Sequence, residues 1–285
     1  MATFFNQAQL SYNGNIINSN VATGELTETL AVTKTATVDT YSRNSDITYV
    51  ISLVNSGSTP LTNLAVTDNL GSYTVGTTTV YPLSYVDGSA RLFINGVPQA
   101  VAPTVTAGPP LTFSGVTIPA NSNAIIIYDA VTTNTAPLNP NNTITNTVTV
   151  SGGSIVTPVT ASETLTVSNE PDLTISKSIN PSTVVENSPV TYTFIIQNYG
   201  NTAADVTDNV IITDTFNPIL TNLAVSFNGT PWAENTNYTY NTATGLFTTN
   251  AGQITVPAAT ITQDPTTGVN TITPGVATLT VTGII

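Results

Sequence analysis

Residues 172–200, DLTISKSINPSTVVENSPVTYTFIIQNYG, repeat the pattern of residues 32–57, VTKTATVDTYSRNSDITYVISLVNSG. In each, an alternating strand carrying a lysine leads through a polar connection to a second alternating run that ends in Asn-x-Gly. The likeness continues: ADVTDNVIITDTF (204–216) matches LTNLAVTDNL (61–70), and TPGVATLTVTGII (273–285) matches IPANSNAIIIYDAV (118–131). A fixed order of alternating segments met twice is the signature of tandem modules. Alternation with period two, punctuated by Gly, Pro and Asn clusters and without sustained helical spacing, predicts β-strands throughout. The expected fold is all-β: two tandem immunoglobulin-like β-sandwiches.

Composition agrees. Hydrophobic residues make up 40% of the 285, so the chain can build cores despite a net charge of -12, and charged residues are only 7%. Val and Thr with 18 Gly and 18 Pro suit short strands joined by turns. Four basic residues against 16 acidic ones argue against nucleic acid as a partner. There is no Cys and no His, which removes disulfides, thiolate chemistry and the commonest acid–base group and metal ligand. A Ser-His-Asp hydrolase is excluded, and neither a cofactor nor a metal is called for. No apolar run is long enough to span a bilayer as a helix, and no basic region followed by an apolar core marks a secretory signal.

The two modules are not equally complete. Module one, residues 31–150, closes with NTITNTVTV (142–150), a strand with no counterpart after Ile285 in module two, residues 172–285. The counterpart lies at the other end of the chain. In MATFFNQAQLSY (1–12), Phe4, Asn6, Ala8, Leu10 and Tyr12 fall on one face, and aligning Asn6 with Asn146 sets Ala8 on Val148 and Leu10 on Val150. The order read from the sequence is therefore donor strand 1–12, linker 13–30, complete sandwich 31–150, linker 151–171, and a sandwich lacking its last strand, 172–285. An open sheet edge invites strand addition, and a donor at the far end of an identical molecule gives a head-to-tail homopolymer. The partners expected are copies of the chain itself. The bland alternative makes residues 1–12 an added edge strand of module one.

Parity places three polar residues per module among apolar ones. Lys34 shares a face with Val32 and Ala36, Asp68 with Leu64 and Val66, and Asn146 with Ile144 and Val148. Module two repeats Lys177 beside Ile175 and Ile179, and Asp214 beside Ile212 and Phe216. The chain has no other lysine. Burying such groups costs several kcal/mol, about 2–7 for one unpaired polar group, unless they are paired. One reading is a buried Lys–Asp ion pair with the Asn hydrogen-bonded to it. The other is an isopeptide bond: burial lowers the Lys pKa, the neutral amine attacks the Asn carboxamide, and a buried protonated Asp polarises that carbonyl and shuttles protons as ammonia leaves. The sets are Lys34, Asp68 and Asn146 within module one, and Lys177 and Asp214 with Asn6 of a neighbouring molecule.

These motifs, K-[TS] followed by the TYxxxxxNxG, VTDxL and ITNTVTV segments, resemble the bacterial conserved-repeat surface domain family, known as domain of unknown function 11, in two tandem copies. The resemblance implies immunoglobulin-type sandwiches on an extracellular cell surface, some crosslinked between first and last strands. The functional expectation is a structural subunit of an extracellular, pilus-like filament and not an enzyme. The rival is a monomeric adhesin-like module whose loops hold a ligand. Asp205 and Asp208 lie near Asp214 without the spacing of a calcium loop, Asp264 reads as a turn, and Trp232 with Tyr238, Tyr240 and Phe247 reads as packing ahead of a carbohydrate platform.

Overall fold

The computed structural model describes residues 2–26, 29–153 and 155–285. Met1, Thr27, Glu28 and Ser154, which belong to the segments expected as donor strand and linkers, lie outside the described residues.

The first 25 described residues differ from expectation. Residues 1–12 were expected as one unpaired strand and 13–30 as a linker; instead residues 2–26 form an antiparallel hairpin arm. Strand β1 (Ala2–Asn6) pairs with β4 (Ala22–Leu26), and β2 (Gln9–Tyr12) pairs with β3 (Asn15–Asn18). The physical cause is Asn13-Gly14, whose φ values of 46° and 79° form the left-handed two-residue turn that matches strand twist. A second anchor joins the halves, where Ser19 N–H donates to the Ala8 carbonyl and Ser19 Oγ accepts from Ala8 N–H.

Domain one is a two-layer sandwich. One sheet runs through β5 (Leu30–Ala36), β6 (Asp46–Asn55) and the strand after the crossover, Ser122–Thr132. The other is built on β7 (Leu61–Asp68) and β8 (Leu111–Ile118), with the long strand Ser122–Thr132, here β9, belonging to the first layer. Beyond β7 lie β10 (Thr143–Gly152) and β11 (Val159–Val167), which pair with each other over their length. Inward residues from both layers, among them Tyr49, Ile51, Val66, Phe113, Ile126, Val148 and Leu165, form one core. The expected boundary at residue 150 and the linker 151–171 are corrected here: Ala161, Glu163, Leu165 and Val167 line one face of β11, which belongs to domain one.

Domain two repeats the first layer: β12 (Leu173–Asn180), β13 (Pro189–Asn198), then the strand Gly275–Ile284, and between them in sequence β14 (Thr213–Thr215), β15 (Thr221–Phe227) and β16 (Leu246–Thr249). Calling Gly275–Ile284 β17, the first sheet runs β12-β13-β17-β15 and then Thr230–Trp232, while β14 pairs with β16. The equivalence is residue-exact along the ladders: Ser122 faces Asn55 as Gly275 faces Asn198, so Lys34 corresponds to Lys177 and Tyr49 to Tyr192. The second layer is not repeated in full. One edge of β14 pairs with β16, as β7 pairs with β8; no described strand takes the other edge, where β10 and β11 sit in domain one. The chain thus folds as two tandem immunoglobulin-like β-sandwiches, one closed and one open.

The domains meet through specific contacts. Arg43 donates to Asp172 at 2.9 Å and lies over the Tyr199 ring, Gln263 Nε2 donates to Tyr73 Oη at 2.7 Å, and Ile261 and Ile272 pack on the core of domain one.

Candidate functional site

In domain one the alternation of β5, β7 and β10 aims Lys34, Asp68 and Asn146 into the core, and all three are buried. They converge on a residue that parity alone did not single out. Tyr128, on β9, donates its hydroxyl proton to Asp68 Oδ2 at 2.6 Å and accepts from Asn146 Nδ2 at 3.0 Å and from Lys34 Nζ at 3.2 Å. Lys34 Nζ also pairs directly with Asp68. The second oxygen of Asp68 accepts from Leu70 N–H at 2.9 Å, and Asn146 Oδ1 accepts from Gly71 N–H at 3.3 Å. The side-chain polar atoms of the three residues therefore have partners inside the core, as burial demands.

The electrostatics suit acyl chemistry. Burial pulls the Lys34 ammonium down to about 8, with Asp68 opposing the shift, so a neutral amine is reachable near physiological pH. Burial pushes the phenols of Tyr49 and Tyr128 upward, which keeps both protonated and Tyr128 a donor. The Lys34 amine also lies over the Tyr49 ring, 4.7 Å from its centroid.

Domain two holds the same pair without its cover. Lys177 pairs with Asp214 and lies 4.6 Å from the centroid of Tyr192. Yet the Lys177 side chain is 40% exposed and that of Asp214 18%, where Lys34 and Asp68 are at 0%. Ile175, the counterpart of half-buried Val32, is exposed, as is Ile179. Val281 stands where Tyr128 does, so among the described residues no hydroxyl bridges the second pair as Tyr128 bridges the first. The expected third member, Asn6, is not brought to this pair within the chain: it sits on β1 opposite Ala22. Phe4, Asn6, Ala8, Leu10 and Tyr12 are all exposed on the arm, and Ile16, Ile17 and Val21 add to its uncovered apolar surface.

Other candidates resolve into local structure. Asp205 and Asp208 form the capping box of a short 3-10 turn over Val206–Asp208, and Asp264 accepts from Thr266 and Thr267 N–H. Trp232 stacks on Phe227 at 5.0 Å and Tyr238 packs on Phe247. A crevice of about 220 Å³ at the domain join is lined by Arg43, Leu138, Asp172 and Asn201, its charged pair already mutually satisfied. Among the described residues no helix is long and apolar enough to cross a membrane.

No protein-family model matches this chain, and no curated protein does. Among solved structures, the chain is similar to BcpA, the major pilin subunit of Bacillus cereus, at 10% identity and a TM-score of 0.37, covering 96% of this chain and 73% of that one. It is similar to the pilus backbone RrgB of Streptococcus pneumoniae (12% identity, TM-score 0.35, 86% of this chain and 55% of that one) and to the collagen adhesin of S. aureus (10% identity, TM-score 0.32, 53% of this chain and 55% of that one). These similar structures include pilins and adhesins and also a family 123 glycoside hydrolase from Clostridium perfringens (11% identity, TM-score 0.30, 50% of this chain and 28% of that one), all at a similarity too remote for their properties to be transferred.

Proposed function

We propose that the protein is a structural subunit that joins head to tail, the N-terminal segment of one molecule filling the open side of domain two in the next. The observation that carries this is the pair of unlike lysine sites. Lys34–Asp68 is sealed by a strand bearing Asn146, and Lys177–Asp214 is bare, while an exposed segment bearing Asn6 in the same apolar alternation has no core to enter. A heterologous contact of this kind propagates as a fibre, or closes as a ring. The assembly we infer is an extracellular, pilus-like filament at a cell surface. The resemblance of its repeats to the conserved-repeat surface domain family is what points to that setting. Its role is mechanical, with no turnover of a substrate.

Each module then carries its own crosslink. In domain one the Lys34 ammonium gives a proton to Asp68, and the amine nitrogen attacks Cγ of Asn146. The new C–N bond replaces the bond to the carboxamide nitrogen: Asp68 passes its proton to that nitrogen, which leaves as ammonia, and takes up the second proton of the attacking nitrogen. One ammonium and one carboxamide thus become an amide, ammonia and a protonated Asp68. The fold supplies proximity, and Tyr128 holds the carboxylate and the carboxamide on one oxygen. Between molecules the same step joins Lys177 of one to Asn6 of the next, with Asp214 as proton carrier.

Boiling in SDS tests this. Wild-type protein gives a ladder of multimers that disappears in Asn6→Ala and in Lys177→Ala, and deletion of residues 2–26 abolishes even the non-covalent fibres seen by electron microscopy. A wild-type chain that stays monomeric at unchanged mass contradicts the proposal.

A further inference from the structure

Resting on that reading, we infer that the donated unit is the whole hairpin, residues 2–26, and that its second half takes the place of β11. Among the described residues, two strands that complete domain one have no counterpart in domain two. In domain one β10 has β7 on one side and β11 on the other; β11 packs against β5, the strand that carries Lys34, and buries Leu165 and Val167. Domain two has no described counterpart of either strand. A single inserted strand would pair β14 and leave the Lys177 strand, β12, uncovered.

The arm has the matching construction. Strand β1 uses one edge for β4 and leaves the other free, as β10 would be with only β11 beside it. Superposing Asn6 on Asn146 keeps the β1–β4 direction antiparallel and sets Ala8 at the position of Val148, the residue opposite Asp68. Ala8 follows the end of β1, where the ladder shifts by one residue between Asn6–Ala22 and Gln9–Asn18, so the contact with β14 falls at Ala8 and the start of β2. Inserting β1 alone would first require breaking its ladder with β4. Docking the hairpin intact breaks nothing, and a free hairpin of this size is marginal in water without a sheet or a core to join. Its inner face is shaped for contact: Phe4 lies over Gly24, where a Cβ would meet the ring at 2.3 Å, and Ala22 faces Asn6. Ala22 stands where Glu163 faces Asn146, so the second strand also brings a smaller, uncharged neighbour to the intermolecular lysine.

The chain has no cysteine, so an introduced pair is unambiguous. Phe5 and Thr23 face each other on the outer side of the arm, and Phe5→Cys with Thr23→Cys ties β1 to β4. The oxidised and reduced forms are expected to assemble to the same extent; an oxidised form that stays monomeric while the reduced form assembles overturns the inference, because β1 then inserts alone. Independently, Ala22→Lys on the inner face should weaken association by about tenfold or more, while Thr23→Lys on the outer face should not. Wild-type assembly by Ala22→Lys also overturns it. Both failures leave the donor reading intact, which falls separately if the chain lacking residues 2–26 still assembles.

Discussion

Replacing Lys34 and Lys177 in turn by Met applies one chemical change to two equivalent positions, and the structure assigns them very different costs. At position 34 the change strands Asp68, whose side chain is at 0% exposure, without its cation. Leaving a buried charge unpaired costs about 3–5 kcal/mol. If the bond to Asn146 has formed, the variant also loses closure of a loop of more than a hundred residues, which on the disulfide analogy adds about 4–5 kcal/mol. At position 177 the pair is solvated, with Lys177 40% exposed, and solvent screening holds its contribution to about 1 kcal/mol or less. Guanidinium unfolding of the chain lacking residues 2–26 separates the two. The single Trp, Trp232, reports domain two by fluorescence, and amide exchange of β6 and β9 reports domain one. Lys34→Met should lower the domain-one midpoint by about 1 M or more, and Lys177→Met should leave the domain-two midpoint within a few tenths. Equal losses in the two domains refute the reasoning.

Three further outcomes follow from the same geometry. Stability of domain one in an Asn146→Ala variant, where Lys34 stays a free amine, should rise between pH 8 and 10: the folded Lys34 titrates near 8 and the unfolded one near 10.5, so the unfolded state binds more protons there and stability climbs by up to about 2–3 kcal/mol. Above pH 10 the sign reverses, because the phenols of Tyr49 and Tyr128 are raised in the folded state and the unfolded state loses protons first; a wild-type chain with Lys34 already acylated should lack the rise, as read by denaturant melts across pH. Tyr128→Phe removes the oxygen shared by Lys34, Asp68 and Asn146, and should slow loss of ammonia in domain one at least about tenfold, followed by intact mass over time after refolding. Gly14→Val forces a branched residue to a φ of 79°, costs the arm about 1–3 kcal/mol, and should reduce fibre yield in sedimentation without altering either domain's melt.

Much of this was legible because strands expose their faces with period two. Lys34 among Val32 and Ala36, and Asp68 among Val66 and Leu64, announce buried polar groups without any structure. Tyr128 was not legible as the meeting point, since an inward Tyr between Ile126 and Ala130 looks like ordinary packing and only its hydroxyl's partners reveal the role. Strand β11 was hidden by Glu163, a charged residue at an inward position, and by the Ser-Gly-Gly that opens its turn. The hairpin was written in Asn13-Gly14, a strong two-residue turn signal, yet adjacent Ile16 and Ile17 disguise the alternation of β3. The repeat showed that no segment like ITNTVTV follows TPGVATLTVTGII in the sequence; that two strands, β10 and β11, cover the corresponding edge in domain one needed the pairing of β10 with β11.

The most direct test of head-to-tail joining mixes two chains that cannot each form covalent polymers alone. A Lys177→Ala chain keeps its arm as donor, and a chain lacking residues 2–26 keeps Lys177 and Asp214 as acceptor. The account predicts an SDS-stable heterodimer that grows no further, with the link mapped by mass spectrometry to Asn6 of the donor and Lys177 of the acceptor. No heterodimer, or SDS-stable multimers from the acceptor chain by itself, would contradict it.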